Sequence, residues 1–296
     1  MYKEIEANKR KTWFLVTTVS VLIVVLFYIG GLMMNVDIYA SIIFGTIFST
    51  VFSLISYYAG DKAVLITSGA KQITKQQAPD LWNIVENLTI AAGLPMPKVY
   101  VINDPSPNAF ATGRDPEHAS MAFTTGILRV LNKTELEGVA AHELSHIQNL
   151  DIRVMTITVI LVGIVMLIAD LLLRIGIHSD RKQGQAAIVF LIIGIAVAVL
   201  SPLIAQLIKL AISRAREYLA DASASLLTRH PEGLASALEK IKENSLPLKK
   251  ANHATAHLFI SNPFGSKKAE NSWFQRAFST HPPIDERIQK LRTMGI

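Results

Sequence analysis

The stretch TELEGVAAHELSHIQNL, Thr134 to Leu150, decides how the rest of the chain is read. Thr134 followed three residues later by Glu137 has the spacing of a capping box and predicts a helix from Glu135 onward. On that helix His142 and His146 are four residues apart, one above the other, so both imidazoles can grip a single ion. Glu143 lies about 100° further round than His142 and roughly 60° from His146, by the 3.6-residue turn. It flanks such an ion without having to ligate it.

That is the donor set of a zinc hydrolase. Neutral imidazole suits Zn²⁺, and a zinc held by three protein ligands keeps a water whose pKa falls from about 15.7 toward about 7. A carboxylate beside that water can take its proton during attack on a peptide carbonyl and pass it to the leaving amine, which makes Glu143 the candidate general base. The third ligand is sought further along, in Arg214-Ala-Arg-Glu217-Tyr-Leu-Ala-Asp221, where Glu217 and Asp221 are again four apart on one helix face. Glu217 is the best third ligand, giving one His₂Glu zinc site per chain with a position open for water. Asp221 then suits the acceptance of a ligand imidazole's free N–H, which fixes tautomer and orientation. His230, His253, His257 and His281 remain further ligand candidates.

Composition sets the surroundings. Of 296 residues 50% are hydrophobic and only 18% charged, too apolar a balance for a wholly water-exposed surface and one concentrated in blocks. There is no cysteine, so any metal site must use histidines and carboxylates. The net charge of +6 comes without an aromatic-basic stripe or a nucleic-acid motif, which excludes nucleic acid as the expected partner and points to basic flanks against an anionic lipid leaflet.

Residues 13–34 and 38–59 are uncharged runs of bilayer-spanning length, separated by the short turn Asn35 to Asp37. Lys3, Lys9, Arg10 and Lys11 ahead of the first run place residue 1 in the cytoplasm, so the chain returns there near Gly60. From Asp61 the composition is that of a soluble domain. A helix is expected over Asp80 to Ala92 with Gly93 as its stop, then strands at Lys98–Ile102, Pro107–Gly113 and Ala119–Thr125 forming a small antiparallel sheet. A free edge of that sheet suits an extended peptide; the alternative is that the strands only cover the active helix.

Two further apolar runs, 154–173 and 186–208, make a second hairpin that either spans or re-enters. Asp170, four residues before Arg174, is read as its neutralising partner. Residues 231–246 form an amphipathic packing helix. The mixed stretch from Leu246 to Thr280 has the character of a lid. In the tail after Thr280, either a helix docks the C-terminus or His281 and Arg287 reach the cleft to stabilise a developing oxyanion. The expected architecture is thus an α-helical membrane protein with four transmembrane helices and a mixed α+β zincin-type domain. Its parts are a hairpin over 1–60, a cytoplasmic part with sheet and HEXXH helix over 61–150, a second hairpin over 151–212 and a cytoplasmic helical part over 213–296.

The double N-terminal anchor, Asn108-Ala-Phe-Ala-Thr-Gly113, the pentad from His142 to His146, Glu217-Tyr-Leu-Ala-Asp221 and Thr280-His-Pro-Pro-Ile-Asp-Glu-Arg287, in that order, resemble the HtpX family of bacterial membrane zinc proteases, relatives of the CAAX prenyl protease. The resemblance implies a stress-linked endopeptidase of the bacterial inner membrane, facing the cytoplasm, that clears misfolded membrane proteins and associates with other quality-control proteases. It implies His142, His146 and Glu217 as zinc ligands, Glu143 as general base, and the strand around Asn108 as part of the substrate groove, with Asn108 contacting substrate backbone. The rival reading is a membrane zinc sensor or a scaffold without proteolytic activity.

Overall fold

The computed structural model describes residues 2–33, 35–161, 163, 170, 194, 214–250, 255–265 and 282–294. Two long helices come first, α1 (Tyr2–Met33) and α2 (Ile38–Ser68). They run antiparallel, because Gly31 meets Ser41, Phe27 meets Phe48 and Ser20 meets Ser53. Asp37 caps α2 by accepting the Ala40 N–H. Within them runs of 29 and 31 residues are long and apolar enough to cross a membrane, each about 45 Å at 1.5 Å per residue. Trp13, Tyr39, Phe44 and Ile43 stand exposed on the hairpin. In water that face would be an uncovered apolar surface, whereas a bilayer accepts it. α2 outruns the expected span of 38–59 and stops at Ser68, where Gly69 takes a left-handed φ of 71°.

Four strands follow: β1 (Ala70–Gln72), β2 (Lys98–Ile102), β3 (Ala109–Gly113) and β4 (Ala119–Thr124), in the order β1-β2-β4-β3. The expected sheet was antiparallel throughout, but β2 and β4 pair in parallel, Val99 opposite Met121. The reason is connectivity: β3 and β4 form a hairpin, and it is β4 that inserts beside β2. β1 is a three-residue strand with no alternation to reveal it.

The sheet separates two apolar clusters. Val99, Ala109, Ala111, Met121 and Phe123 face α3 (Pro79–Ala92) and α5 (Lys133–Gln148), with a short α4 (Thr125–Val130) leading into the latter. Ile102, Phe110 and Ala122 face Leu15, Val19 and Ile23 of α1, Val64 of α2, and Val154 and Met155 of the helical residues 151–161. Both faces being covered explains why β3 and β4 are buried along their whole length, without polar alternation.

α5 lies at the centre, between α3, α6 (Arg214–Thr228) and α7 (Pro231–Glu243). A Cβ at Gly138 would sit 2.8 Å from the Leu234 nitrogen, so glycine is what lets α7 approach α5 this closely. The helix starts two residues earlier than Thr134 suggests. Asn132 is the cap, and the capping box is Asn132 with Glu135, whose carboxylate also holds Ser236 and Lys240 of α7. The last helix is α8 (Ile284–Arg292). Beyond 161, the expected runs 154–173 and 186–208 lie outside the described residues except for isolated positions, as does the Arg174 partner of Asp170.

Candidate metal centre

α5 carries His142 and His146 on one face, and α6 brings Glu217 across to them. One ligand atom from each lies within 4.8 Å of the others, all three residues being buried. The His142 and His146 Nε2 atoms are 3.2 Å apart, and the Glu217 carboxylate lies 3.8 Å from the first and 3.5 Å from the second. Two nitrogens bound tetrahedrally at about 2.0–2.1 Å from a zinc would stand about 3.4 Å apart, so the spacing fits that ion. No other such trio occurs among the described residues.

What aims the Nε2 atoms is the grip on the opposite side of each ring. His142 Nδ1 lies 2.9 Å from Asp221 Oδ1, and His146 Nδ1 lies 2.9 Å from Asp151 Oδ2. Each ring can thus donate Nδ1–H to an aspartate, which turns Nε2 toward the partner ring and Glu217, the orientation a metal needs. Each aspartate is in turn braced by a guanidinium. Arg287 on α8 donates to Asp221 through Nε at 2.9 Å and Nη2 at 2.7 Å, and Arg216 on α6 donates to Asp151 through Nη1 at 3.0 Å.

Asp151 reaches His146 only because α5 is broken. After the Asn149 C-cap, Leu150 adopts φ 59°, a left-handed conformation a leucine rarely takes, and helical residues resume at Asp151. On an uninterrupted helix a residue five places on would lie about 140° round from His146. That is why the sequence signals no role for Asp151.

The two rings differ electrostatically. Burial lowers the His142 pKa, and although the Asp221 hydrogen bond resists, the Arg287 charge reinforces the fall. Burial also works against the cation at His146, yet the Asp151 hydrogen bond and the Glu217, Asp151 and Glu143 carboxylates outweigh it and push the pKa up to about 9. Asp221 is buried too, but Arg287 and His142 hold its carboxyl at about 2. Glu143 is buried beside His142 on α5, near enough for its charge to act on His146 and Arg287.

Of the other expected site residues that are described, one lies against the trio and the rest do not. Arg287, which the sequence leaves between a docking helix and a group reaching the cleft, is 1% exposed and lies against the trio, Nη2 at 3.4 Å from the His142 ring and Nη1 at 3.7 Å from Glu217 Oε2; it binds Asp221 and donates Nη1–H to the Ile260 carbonyl oxygen at 3.3 Å. Asn108 is buried, and its amide holds the backbone of Ser261, Nδ2 donating to the carbonyl at 3.0 Å. Ile260 N–H donates to Ala109 O at 3.0 Å, and Gly113 N–H to Thr156 Oγ1 at 3.2 Å. The outer edge of β3, expected to be free, is therefore occupied by the chain itself at both ends. His230 starts α7 and His257 lies against Met155 O, both away from the trio; His253 and His281 lie outside the described residues.

The model of peptidase family M48 matches residues 75–295. A protease HtpX homolog of Dictyoglomus turgidum is 46% identical over 298 residues, covering 99% of this chain and 95% of that protein. Another, of Tropheryma whipplei, is 49% identical over 245 residues, 82% of each. The crystal structure of S. mikatae Ste24p superposes with a TM-score of 0.53 at 20% identity, over 98% of this chain and 67% of that one, a likeness of fold.

Proposed function

The chain belongs to peptidase family M48 as a membrane metalloprotease, and from that premise we propose that it is a zinc endopeptidase cutting misfolded or damaged membrane proteins at the cytoplasmic face of a bacterial inner membrane. The observation that carries this reading is the convergence of His142, His146 and Glu217 with both Nδ1 atoms tied back to carboxylates. These three residues would hold one Zn²⁺ per chain. Bound there, zinc supplies Lewis-acid polarisation of the scissile carbonyl and acidifies a water.

The rest is the work of side chains. Glu143 accepts the proton of the attacking water and delivers it to the leaving nitrogen, a role that needs a carboxylate next to the ligands but not among them. Asp221 and Asp151 keep the imidazoles from turning. The substrate enters as an extended strand against β3, in the place where Ile260 now bonds to the Ala109 backbone and Ser261 to the Asn108 amide, so peptide binding exchanges one set of hydrogen bonds for another. Main-chain recognition suits a protease that clears many unrelated chains, alone or beside other quality-control proteases. The cationic start of α1 supports a cytoplasmic N-terminus and, through the hairpin, a cytoplasmic site.

The test is zinc stoichiometry and casein cleavage by detergent-purified protein. Glu143→Gln should keep one zinc and lose about 10²–10⁴-fold in rate. Glu217→Ala should lose tight zinc along with activity. Full activity in the first variant, or wild-type zinc binding in the second, would refute the assignment.

A further inference from the structure

Asn8 lies in the first turns of α1, among lysines and an arginine that read as a solvated flank. It is nonetheless fully buried. Its Nδ2 donates to Asn149 O at 2.9 Å and to Asp151 Oδ1 at 2.7 Å, and its Oδ1 accepts from Arg216 Nη1 at 3.0 Å. The other oxygen of Asp151 is the one that holds His146. We propose that Asn8 is a positioning residue for the metal centre, so that the seating of the first membrane helix against the catalytic unit sets the orientation of His146. This rests on the metalloprotease reading above and adds to it a role for a residue well before position 75, where the family match begins.

The side-chain chemistry is specific to an amide. Both Nδ2 hydrogens are used, one on the backbone that forms the break in α5 and one on the carboxylate that follows it, while Oδ1 meets the guanidinium that braces the same carboxylate. Asn8 therefore ties together Asn149, Asp151 and Arg216, the three groups that place the Asp151 carboxylate behind His146. Aspartate would keep the acceptor and lose both donors, setting two carboxylates against each other. Leucine would offer nothing to any of the three.

Asn8 also heads a stripe. Asn8, Thr12, Leu15, Val19 and Ile23 are buried positions of α1, spaced at helical intervals, with the apolar members packed on Val64, Phe110 and Val154. An apolar stripe alone tolerates a slide of one turn. A single buried amide at its head does not, which is how a lone asparagine fixes register in a helical interface. α1 is thereby both anchor and brace. A displacement of about one turn, 5.4 Å, would remove all three Asn8 bonds and leave Asp151 held only by Arg216 and His146.

The experiment uses the full chain in detergent. The zinc dissociation constant is measured by chelator competition, the visible spectrum with cobalt in place of zinc, and the unfolding midpoint with and without metal. Asn8→Ala should weaken zinc about tenfold and alter the cobalt spectrum, the lower end of what loss of an outer partner of a ligand does. The midpoint should fall more with metal than without, since a merely structural defect lowers both equally. Asn8→Ser, which keeps one donor and one acceptor, should fall between alanine and wild type. It carries the test should Asn8→Ala not fold. Ser20→Ala removes a bond between α1 and α2 at 3.3 Å without touching Asp151, and should leave zinc affinity unchanged. Wild-type affinity and spectrum in both Asn8 variants, or an equal loss in Ser20→Ala, overturns the proposal. A wild type that binds zinc and cleaves while the Asn8 variants behave identically overturns this inference alone; a wild type that binds no zinc overturns the metalloprotease reading with it.

Discussion

His142 and His146 sit one turn apart on one helix, each backed by an aspartate and each aspartate by an arginine, yet the C-terminal helix supports one and the N-terminal helix the other. Behind His142 stand Asp221 on α6 and Arg287 on α8, joined by two short hydrogen bonds and closed off by the Ile260 carbonyl. Behind His146 stand Asp151, just past the break in α5, a single Arg216 bond, and Asn8 from the membrane hairpin. Among the described residues Arg216 Nε has no hydrogen-bond partner, so this second brace is the looser one. Electrostatics follow the same division. The Arg287 guanidinium, 3.4 Å from the His142 ring, favours a neutral imidazole, whereas the carboxylates around His146 favour a proton there until a dication takes its place. Identical residues are made unlike by what lies behind them.

The largest effects should come from cutting the two braces and comparing the damage. Asp221→Ala and Asp151→Ala each remove the group that orients a ligand ring, and each should weaken zinc by about 10–100-fold. Their stability costs should differ. Without Asp221 the buried Arg287 charge loses its bidentate partner, a class of lesion that costs about 3–5 kcal/mol. Without Asp151, Arg216 keeps the Asn8 amide oxygen, so the cost should be smaller. Urea unfolding of the metal-free variants measures the difference. Equal losses, or a greater loss in Asp151→Ala, would mean that the tighter-looking brace is not the stronger one.

A pH titration sharpens the comparison further. With the metal-free His146 pKa raised to about 9, zinc must displace a proton from it at neutral pH, so apparent affinity should climb about tenfold per pH unit and level off above about 9. For the metal-free fold the sign is opposite. The raised pKa contributes stability that is fully present below the ordinary histidine value of 6.5 and is lost as pH rises through about 9. Asp221, depressed to about 2, contributes stability above its usual 3.8 that is lost as pH falls through about 2. Chelator competition across pH 6–10 should show the plateau moving to lower pH in Asp151→Asn, which removes the largest influence raising His146. A plateau unmoved in that variant would remove Asp151 from the account.

Much of this arrangement could be read in residue order because it depends on local periodicity. The i,i+4 pairs His142/His146 and Glu217/Asp221 share faces by helical geometry, and α3 with its Gly93 stop announces itself in the same way. The misreadings have physical causes. Thr134 and Glu137 have the capping spacing, but so do Asn132 and Glu135, and asparagine won the cap. The sheet was expected to be antiparallel because consecutive short strands usually are; insertion of β4 beside β2 is a long-range choice with no local mark. The tail leaves Arg287 between a docking helix and the cleft, because nothing in it shows that a buried aspartate on α6 awaits the guanidinium. Asp151 and Asn8 were invisible for a related reason. One depends on a left-handed leucine that rotates it back, and the other on contacts across 141 to 208 positions.

The smallest predicted effect supplies the control that the comparison of braces needs. Gly93 ends α3 at φ 65°, its N–H donating back to Ile90 O at 3.2 Å, and a Cβ added there would meet nothing within 4 Å. Gly93→Ala therefore creates no clash, only the left-handed strain of an L-residue, about 1 kcal/mol. α3 packs on α5 in the same apolar cluster that supports the ligand helix, through Leu81, Ile84, Val85 and Leu88, and none of these apolar side chains can bond to an aspartate or arginine behind the rings. The unfolding midpoint should drop by about 2–4 °C to the same extent with and without zinc, and the zinc dissociation constant should stay at the wild-type value. If affinity falls along with stability here, the metal centre responds to any softening of the fold, and the contrast between the two braces would have to be sought in overall rigidity instead of in the groups that hold each imidazole.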